Sequence, residues 1–189
     1  WPYSSVYAAW ALTLAREEGY DIPNRTHARL LRYLRGILTK QLDRNLFPYS
    51  EASWDVTEAF ALYVLALNEQ YDPGYAERLF DRRHRLPLLA KAFTSQALAF
   101  NQSNDPRLDG LLQSLVNRLR VAPQTAYFEP VTAHTLPWIF DSRIRTTAIL
   151  FTTLMVTGRE PAASEQVVEW LLSQRNSKGH WANTQDNVY

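Results

Sequence analysis

Two kinds of helical segment alternate along this chain of 189 residues, and that alternation limits what it can build. Residues 4–17, SSVYAAWALTLARE, are apolar on nearly every face. Residues 26–42 are striped instead: Leu30, Leu31, Leu34, Ile37, Leu38 and Leu42 line up, with Arg29, Arg32, Arg35 and Lys40 opposite. Residues 54–68 are apolar all round again, and a short amphipathic stretch follows at 74–82. Residues 87–101 return to the apolar type, and 106–120 are striped by Leu108, Leu111, Leu112, Leu115, Val116 and Leu119. Residues 142–156 are apolar, and 162–174 are striped by Val167, Val168, Leu171 and Leu172. A helix that is apolar all round has to be covered on all sides, whereas a striped one faces water. The order therefore predicts an all-α fold in two concentric layers, an α/α toroid of helical hairpins. Its inner helices centre near residues 10, 61, 95 and 149.

Punctuation agrees with these segments. Asp21–Asn24, Asn104-Asp105-Pro106, Ser53-Trp54-Asp55, Asp141-Ser142 and Glu160-Pro161 place cap residues or Pro where helices should begin. Gly19, Gly158 and Gly179 stand where helices or turns should end. One stretch, 121–140, breaks the helical pattern with three Pro, Thr and aromatics, and is expected to be an irregular excursion or short β-hairpin. The last segment, 170–189, runs from a striped helix through a turn at Asn176–Gly179 to Trp181, then opens a helix at Asn183-Thr184-Gln185-Asp186 and stops. With Trp1-Pro2-Tyr3 at the other end, the expectation is a single toroid domain fragment over 1–189, truncated at both ends. A missing signal peptide is then uninformative.

Composition removes several functions. A formal charge of +1 argues against nucleic acid as a partner. No apolar run approaches the roughly 18 residues of a membrane span, so direct membrane insertion is not expected. There is no Cys, hence no disulfide framework, thiolate metal site or Cys nucleophile in these residues. The four His, at 27, 84, 134 and 180, lack partners at ligand spacing, and no phosphate loop or nucleophile elbow occurs, so no metal or cofactor is expected. Arg82-Arg83-His84-Arg85 reads as a solvated turn with some carboxylate pairing. Asp55 and Glu58, one turn apart, are the only glycosidase-like carboxylate pair singled out, and capping explains them more simply. His134 lies in the irregular stretch near Trp138, where a near-neutral imidazole suits nucleophilic or base work.

The terminal unit WLLSQRNSKGHWANTQDNVY resembles the thioester-containing domain of the alpha-2-macroglobulin and complement family. There an outer helix ending Trp-Leu-x-x-Gln-Arg meets a Gly turn, an aromatic, and a Thr-Gln-Asp/Glu opening of the next inner helix. SSVYAAWALTLAREEGYDIP (4–23), LFDRRHRLPLLAKAFTSQALAF (79–100) and SRIRTTAILFTTLM (142–155) are similar to further helices of that domain, the second to its bacterial branch. The resemblance implies a piece of a bacterial protease inhibitor: extracytoplasmic, not an enzyme, meeting target proteases and neighbouring domains through the full-length parent. It implies a structural junction at Trp170, Gln174, Gly179, Trp181 and Gln185. It places His134 near the family's acyl-transfer His. The family's thioester needs a Cys, so it cannot lie in this chain. Two other readings stay open on the residues: an α/α-toroid enzyme of terpene cyclase-like or glycosidase-like type, or a plain interaction module using Trp1, Tyr3 or Trp138. The Gln174–Trp181 spacing loosely matches cyclase Gln-Trp repeats, but the Asp-rich cyclase motif is absent.

Overall fold

The structure, a computed structural model, describes residues 1–39, 41–129, 139, 142–183 and 186–187. Among them the chain forms α1 (Pro2–Glu17), α2 (Asn24–Leu38), α3 (Glu51–Leu67), α4 (Pro73–Asp81), α5 (Leu88–Asn101), α6 (Arg107–Val116), β1 (Leu119–Ala122), β2 (Thr125–Phe128), α7 (Arg143–Val156) and α8 (Ser164–Ser173). The odd-numbered helices make a row, α1 against α3, α3 against α5, α5 against α7. The even-numbered helices cover that row from outside: α2 on α1 and α3, α4 and α6 on α5, α8 on α7. This is an arc of an α/α toroid.

The inner helices run the same way. Arg145 in the first turn of α7 reaches Tyr3 in the first turn of α1. At the other end Asn68, just past α3, donates to Thr13 near the end of α1 at 3.0 Å. Gln96 in α5 donates to Thr153 in the late part of α7 at 2.7 Å. The core between them is aromatic. Phe60 and Phe93 stack with centroids 4.3 Å apart, and Tyr3, Tyr7, Trp10 and Tyr63 extend the cluster. Burying a ring such as Phe60 contributes about 1.5–3 kcal/mol, and each good ring pair adds about 0.5–1.5 kcal/mol.

Four expectations from the sequence need correction. The all-round apolar segments are not all covered all round: α3 and α5 are, but α1 leaves Ala8 and Ala11 exposed, and α7 leaves Thr152, Met155 and Val156 exposed. These two are the ends of the row, each packed along one inner helix and joined to each other at their first turns through Arg145 and Tyr3. Helix α3 begins at Glu51, three residues earlier than expected, because Ser50 rather than Ser53 supplies the cap, its Oγ accepting the Ser53 N–H at 3.2 Å. The excursion begins at Leu119 rather than 121. Leu119 continues the spacing of Leu111 and Leu115, but α6 stops at Val116, and Leu119 pairs across the hairpin with Phe128 instead. Tyr3 is buried and is no exposed contact residue, whereas Trp1 is 60% exposed. Caps at Ser142 and Asp105 are present, their side-chain oxygens accepting the N–H of Arg145 and Arg107. Helices α2 and α8 begin without a side-chain cap.

Three helices end on a residue with positive φ. Gly19 (85°) and Gly158 (69°) close α1 and α7, but α3 ends on Glu69 at 57°. There the Gln70 N–H reaches back to Leu65 O at 2.8 Å, the wrap that demands a left-handed residue. A side chain in that conformation is strained by about 1–2 kcal/mol, partly offset by the chain entropy that Gly loses. Glu69 is exposed. Glu69→Gly should therefore stabilise the fold by about 0.5–1 kcal/mol, read as a higher urea midpoint at unchanged slope. A lower midpoint would contradict this account of the turn.

Candidate functional site

Two places in the fold gather the residues singled out by the sequence. The first is the far end of α8. Trp170 is buried and stacks on Tyr127 of β2 at 5.2 Å, and Arg143 lies over the other partner, its guanidinium 5.3 Å from the Tyr127 centroid. Gln174 follows α8 directly; it is exposed, and its Nε2 donates to Ser173 Oγ at 3.1 Å. The chain then turns through Asn176, whose Oδ1 accepts the N–H groups of Lys178 and His180. Gly179 takes φ of 80° to make the turn. Trp181 comes back onto α8, its indole N–H donating to Leu171 O at 2.9 Å, with the Arg175 guanidinium 4.3 Å from the ring. Asn183 Oδ1 accepts the Asp186 N–H at 2.9 Å, and Ser142 Oγ, the cap of α7, donates to the Asp186 carboxylate. The unit thus returns the chain to the starting end of an inner helix. Trp181 bonds to α8 backbone rather than to Gln174. Gln185, His134 and Trp138 lie outside the described residues.

The second place is the start of α3. Asp55 and Glu58 are both buried, and neither acts as the helix cap, since Ser50 does. Glu58 is 1% exposed and accepts from Arg82 at 2.7 Å through Oε2 and from Arg44 through Oε1. Arg82 also lies 3.3 Å from Asp55. Arg44, in the 3-10 turn Arg44–Leu46, places its guanidinium 4.7 Å from the Trp54 ring centroid. Burial pushes the Asp55 carboxyl above its ordinary pKa; Arg82 and Arg85 pull it back, while Glu58 and Glu51 add to the rise. Burial works against the Arg82 charge too, but the bond to Glu58 and the nearby Asp55 outweigh it and hold the guanidinium pKa above its usual value. A glycosidase needs one carboxyl free to give a proton and one free to attack or activate water. Here Glu58 is bonded to two guanidinium groups and Asp55 shares one of them. The cluster ties the turns before α3 and after α4 to the inner helix, and its chemistry is that of an ionic clamp.

Residue reasoning missed Arg44, Arg145 and His27 as structural centres. Their partners lie on other elements of the fold, 14 residues away for Arg44 and Glu58 and 142 for Arg145 and Tyr3, so no pattern within one helix connects them. Arg82 belonged to the basic run read as a solvated turn with some pairing; it is the member of that run that turns inward. Among the described residues, no group of three or more His, Asp or Glu could hold a metal, and no helix is long and apolar enough to cross a membrane.

No family model matches the sequence, and no curated protein matches it. Solved structures do. A Salmonella alpha-2-macroglobulin reacted with methylamine superposes over 98% of this chain and 12% of its own, at TM-score 0.78 and 21% identity. This is the fold of a segment of the bacterial alpha-2-macroglobulins. An Escherichia coli alpha-2-macroglobulin structure spanning domain MG7 to the C-terminus matches over 98% of this chain and 28% of its own, at TM-score 0.72 and 18% identity. The E. coli alpha-2-macroglobulin activated by porcine elastase matches over 96% of this chain and 16% of its own, at TM-score 0.73 and 19% identity. The chain therefore spans about an eighth of the length of the Salmonella alpha-2-macroglobulin. Because the E. coli match falls within the stretch from MG7 onward, the shared segment belongs to the C-terminal part of that alpha-2-macroglobulin.

Proposed function

We propose that this chain is a load-carrying part of the thioester-containing domain of an alpha-2-macroglobulin-like protein that traps proteases outside the cytoplasm. The observation that carries the reading is the superposition of 98% of the chain on a bacterial alpha-2-macroglobulin reacted with methylamine. The residues fit a structural part. The carboxylates that a toroid enzyme would use are held by Arg44 and Arg82. With no Cys among the 189 residues, a thioester would have to come from elsewhere in the parent. In this reading Trp170, Gln174, Gly179, Trp181 and Gln185 fasten an outer helix to the next inner one, the chain is one toroid domain, and the exposed Trp1 contacts a neighbouring domain.

The test uses the full-length parent. It is mixed with elastase, and protease activity is followed on a large protein substrate and on a small chromogenic one. Trapping predicts loss of activity on the large substrate with activity on the small one retained. Equal activity on both would refute the reading. Intact-mass analysis of the parent with methylamine then separates the two forms of trapping. A gain of one methylamine indicates a thioester outside these residues, and no gain leaves enclosure without covalent capture.

A further inference from the structure

The late end of α1, the first turn of α2 and the end of α3 meet around one imidazole. His27 is 5% exposed. Arg16 Nη1 lies 2.9 Å from its Nδ1, and Thr13 Oγ1 lies 3.2 Å from its Nε2. A guanidinium only donates, so Nδ1 has to be the acceptor and the ring proton sits on Nε2. That N–H donates to Thr13. The Thr13 hydroxyl donates in turn to Ala9 O at 2.8 Å and accepts a second bond from Asn68 Nδ2 at 3.0 Å. Asn68 gives its other N–H to Val64 O at 2.8 Å. One hydroxyl proton and two lone pairs are thereby used in full. The relay holds three helices together, and its Arg16–Nδ1 bond requires a neutral ring.

The surroundings offer the charged ring little. Arg16 and the exposed Glu17 are the charged groups that line the adjoining cleft of about 400 Å³, both from α1. From α2 it is lined by Leu31, and from α3 and the turn after it by Leu67, Asn68 and Gln70, none of them charged. A second proton on His27 could only go to Nδ1, where it would point at the Arg16 guanidinium. We infer that His27 is an acid-released latch, whose protonation breaks its bond to Arg16, sets an imidazolium against that guanidinium and loosens the late end of α1 from α2. Helix α1 stands at an end of the inner row: α3 packs along it, and α7 reaches only its first turn through Arg145, so its late end is the part that such a release would move.

The electrostatics agree in sign. Burial, and then Arg16, push the His27 pKa below its ordinary value, which is about 6.5. Above that pH neither the closed nor the open form carries the extra proton, and the latch is at full strength. As pH falls below it, the open form takes up a proton that the closed form refuses, and closure weakens until pH passes the lowered value.

Hydrogen exchange read by mass spectrometry on the 189-residue chain tests this, at about pH 7.5 and about pH 5 and corrected for intrinsic rates. Protection of residues 10–20 and 24–30 should fall about tenfold or more at the lower pH, while α5 stays protected. His27→Gln, which keeps a donor and an acceptor without titrating, should remove that pH response. Arg16→Gln should raise the His27 midpoint, followed by NMR of the ring nitrogens, toward the ordinary value. The same ring signals in the unaltered chain should report a neutral Nε2–H tautomer at the higher pH, which keeps the test alive if a variant fails to fold. An equal acid response in His27→Gln, no regional loss in the unaltered chain, or an unmoved midpoint in Arg16→Gln would each overturn the latch.

Discussion

Glu58→Gln will destabilise the fold by about 3–5 kcal/mol, the usual cost of removing one partner from a buried ion pair. The side chain is 1% exposed and, among the described residues, is the one acid that binds both Arg44 and Arg82. The amide keeps the shape and one acceptor oxygen. It also turns an NH2 group toward a guanidinium and leaves two cations with Asp55 alone. Arg82→Met should cost a similar amount, because it strips both carboxylates of their shared cation. Combined, the two substitutions should cost less than their sum, since each has already broken the same contact. Urea unfolding of the four chains reads all of this. A Glu58→Gln chain within about 1 kcal/mol of the original would mean that the cluster is solvated and adds little, as surface pairs do.

Arg145→Leu is the second large effect, expected at about 3–4 kcal/mol. Arg145 is 1% exposed. Its Nη1 donates to Ile139 O at 2.5 Å, its Nη2 donates to Tyr3 Oη, and its guanidinium lies 5.4 Å from the Tyr3 ring centroid. The substitution leaves a carbonyl and a phenol unsatisfied inside the protein and shortens the side chain that bridges α7 to α1. For a chain of this size the loss amounts to a fall in Tm of roughly 6–16 °C. Tyr3→Phe removes one acceptor but leaves the guanidinium its other bonds, so it should cost only about 1 kcal/mol. Calorimetry on both variants checks the order. Equal falls would show that the bridge acts through the phenol alone.

The sequence carried the fold further than the site. Periodicity separates the inner from the outer helices because a stripe and an all-round apolar surface are local properties of a dozen residues. It does not count neighbours, which is why α1 and α7 looked as enclosed as α3 and α5. The hairpin was marked by its prolines, but its first residue was hidden, because Leu119 satisfies the spacing of the helix before it. The ionic clamp left no trace of this kind. Glu58 meets Arg44 and Arg82 across two separate turns, and nothing in the run Arg82-Arg83-His84-Arg85 distinguishes the arginine that folds inward from those that do not. His27 was equally mute: its partners Thr13 and Arg16 lie on a different helix, across a loop. Long-range polar contacts are fixed by the packing of whole helices, so they become visible only when the packing is known.

Each inner helix also buries a threonine whose hydroxyl donates to the carbonyl one turn back: Thr13 to Ala9, Thr57 to Ser53, Thr94 to Ala90 and Thr153 to Ile149. Such a hydroxyl is satisfied before any neighbour arrives. Thr13 and Thr153 go on to accept bonds from Asn68 and Gln96, and so fix how far one helix has slid past the next. Thr57 and Thr94 make no such second bond among the described residues. Between α3 and α5, the most closely joined pair, sliding is therefore resisted by the shapes of Phe60, Phe93 and their neighbours alone. Variation at those rings would shift the alignment of the two helices without orphaning a polar atom, whereas variation at Asn68 or Gln96 would not be so forgiving.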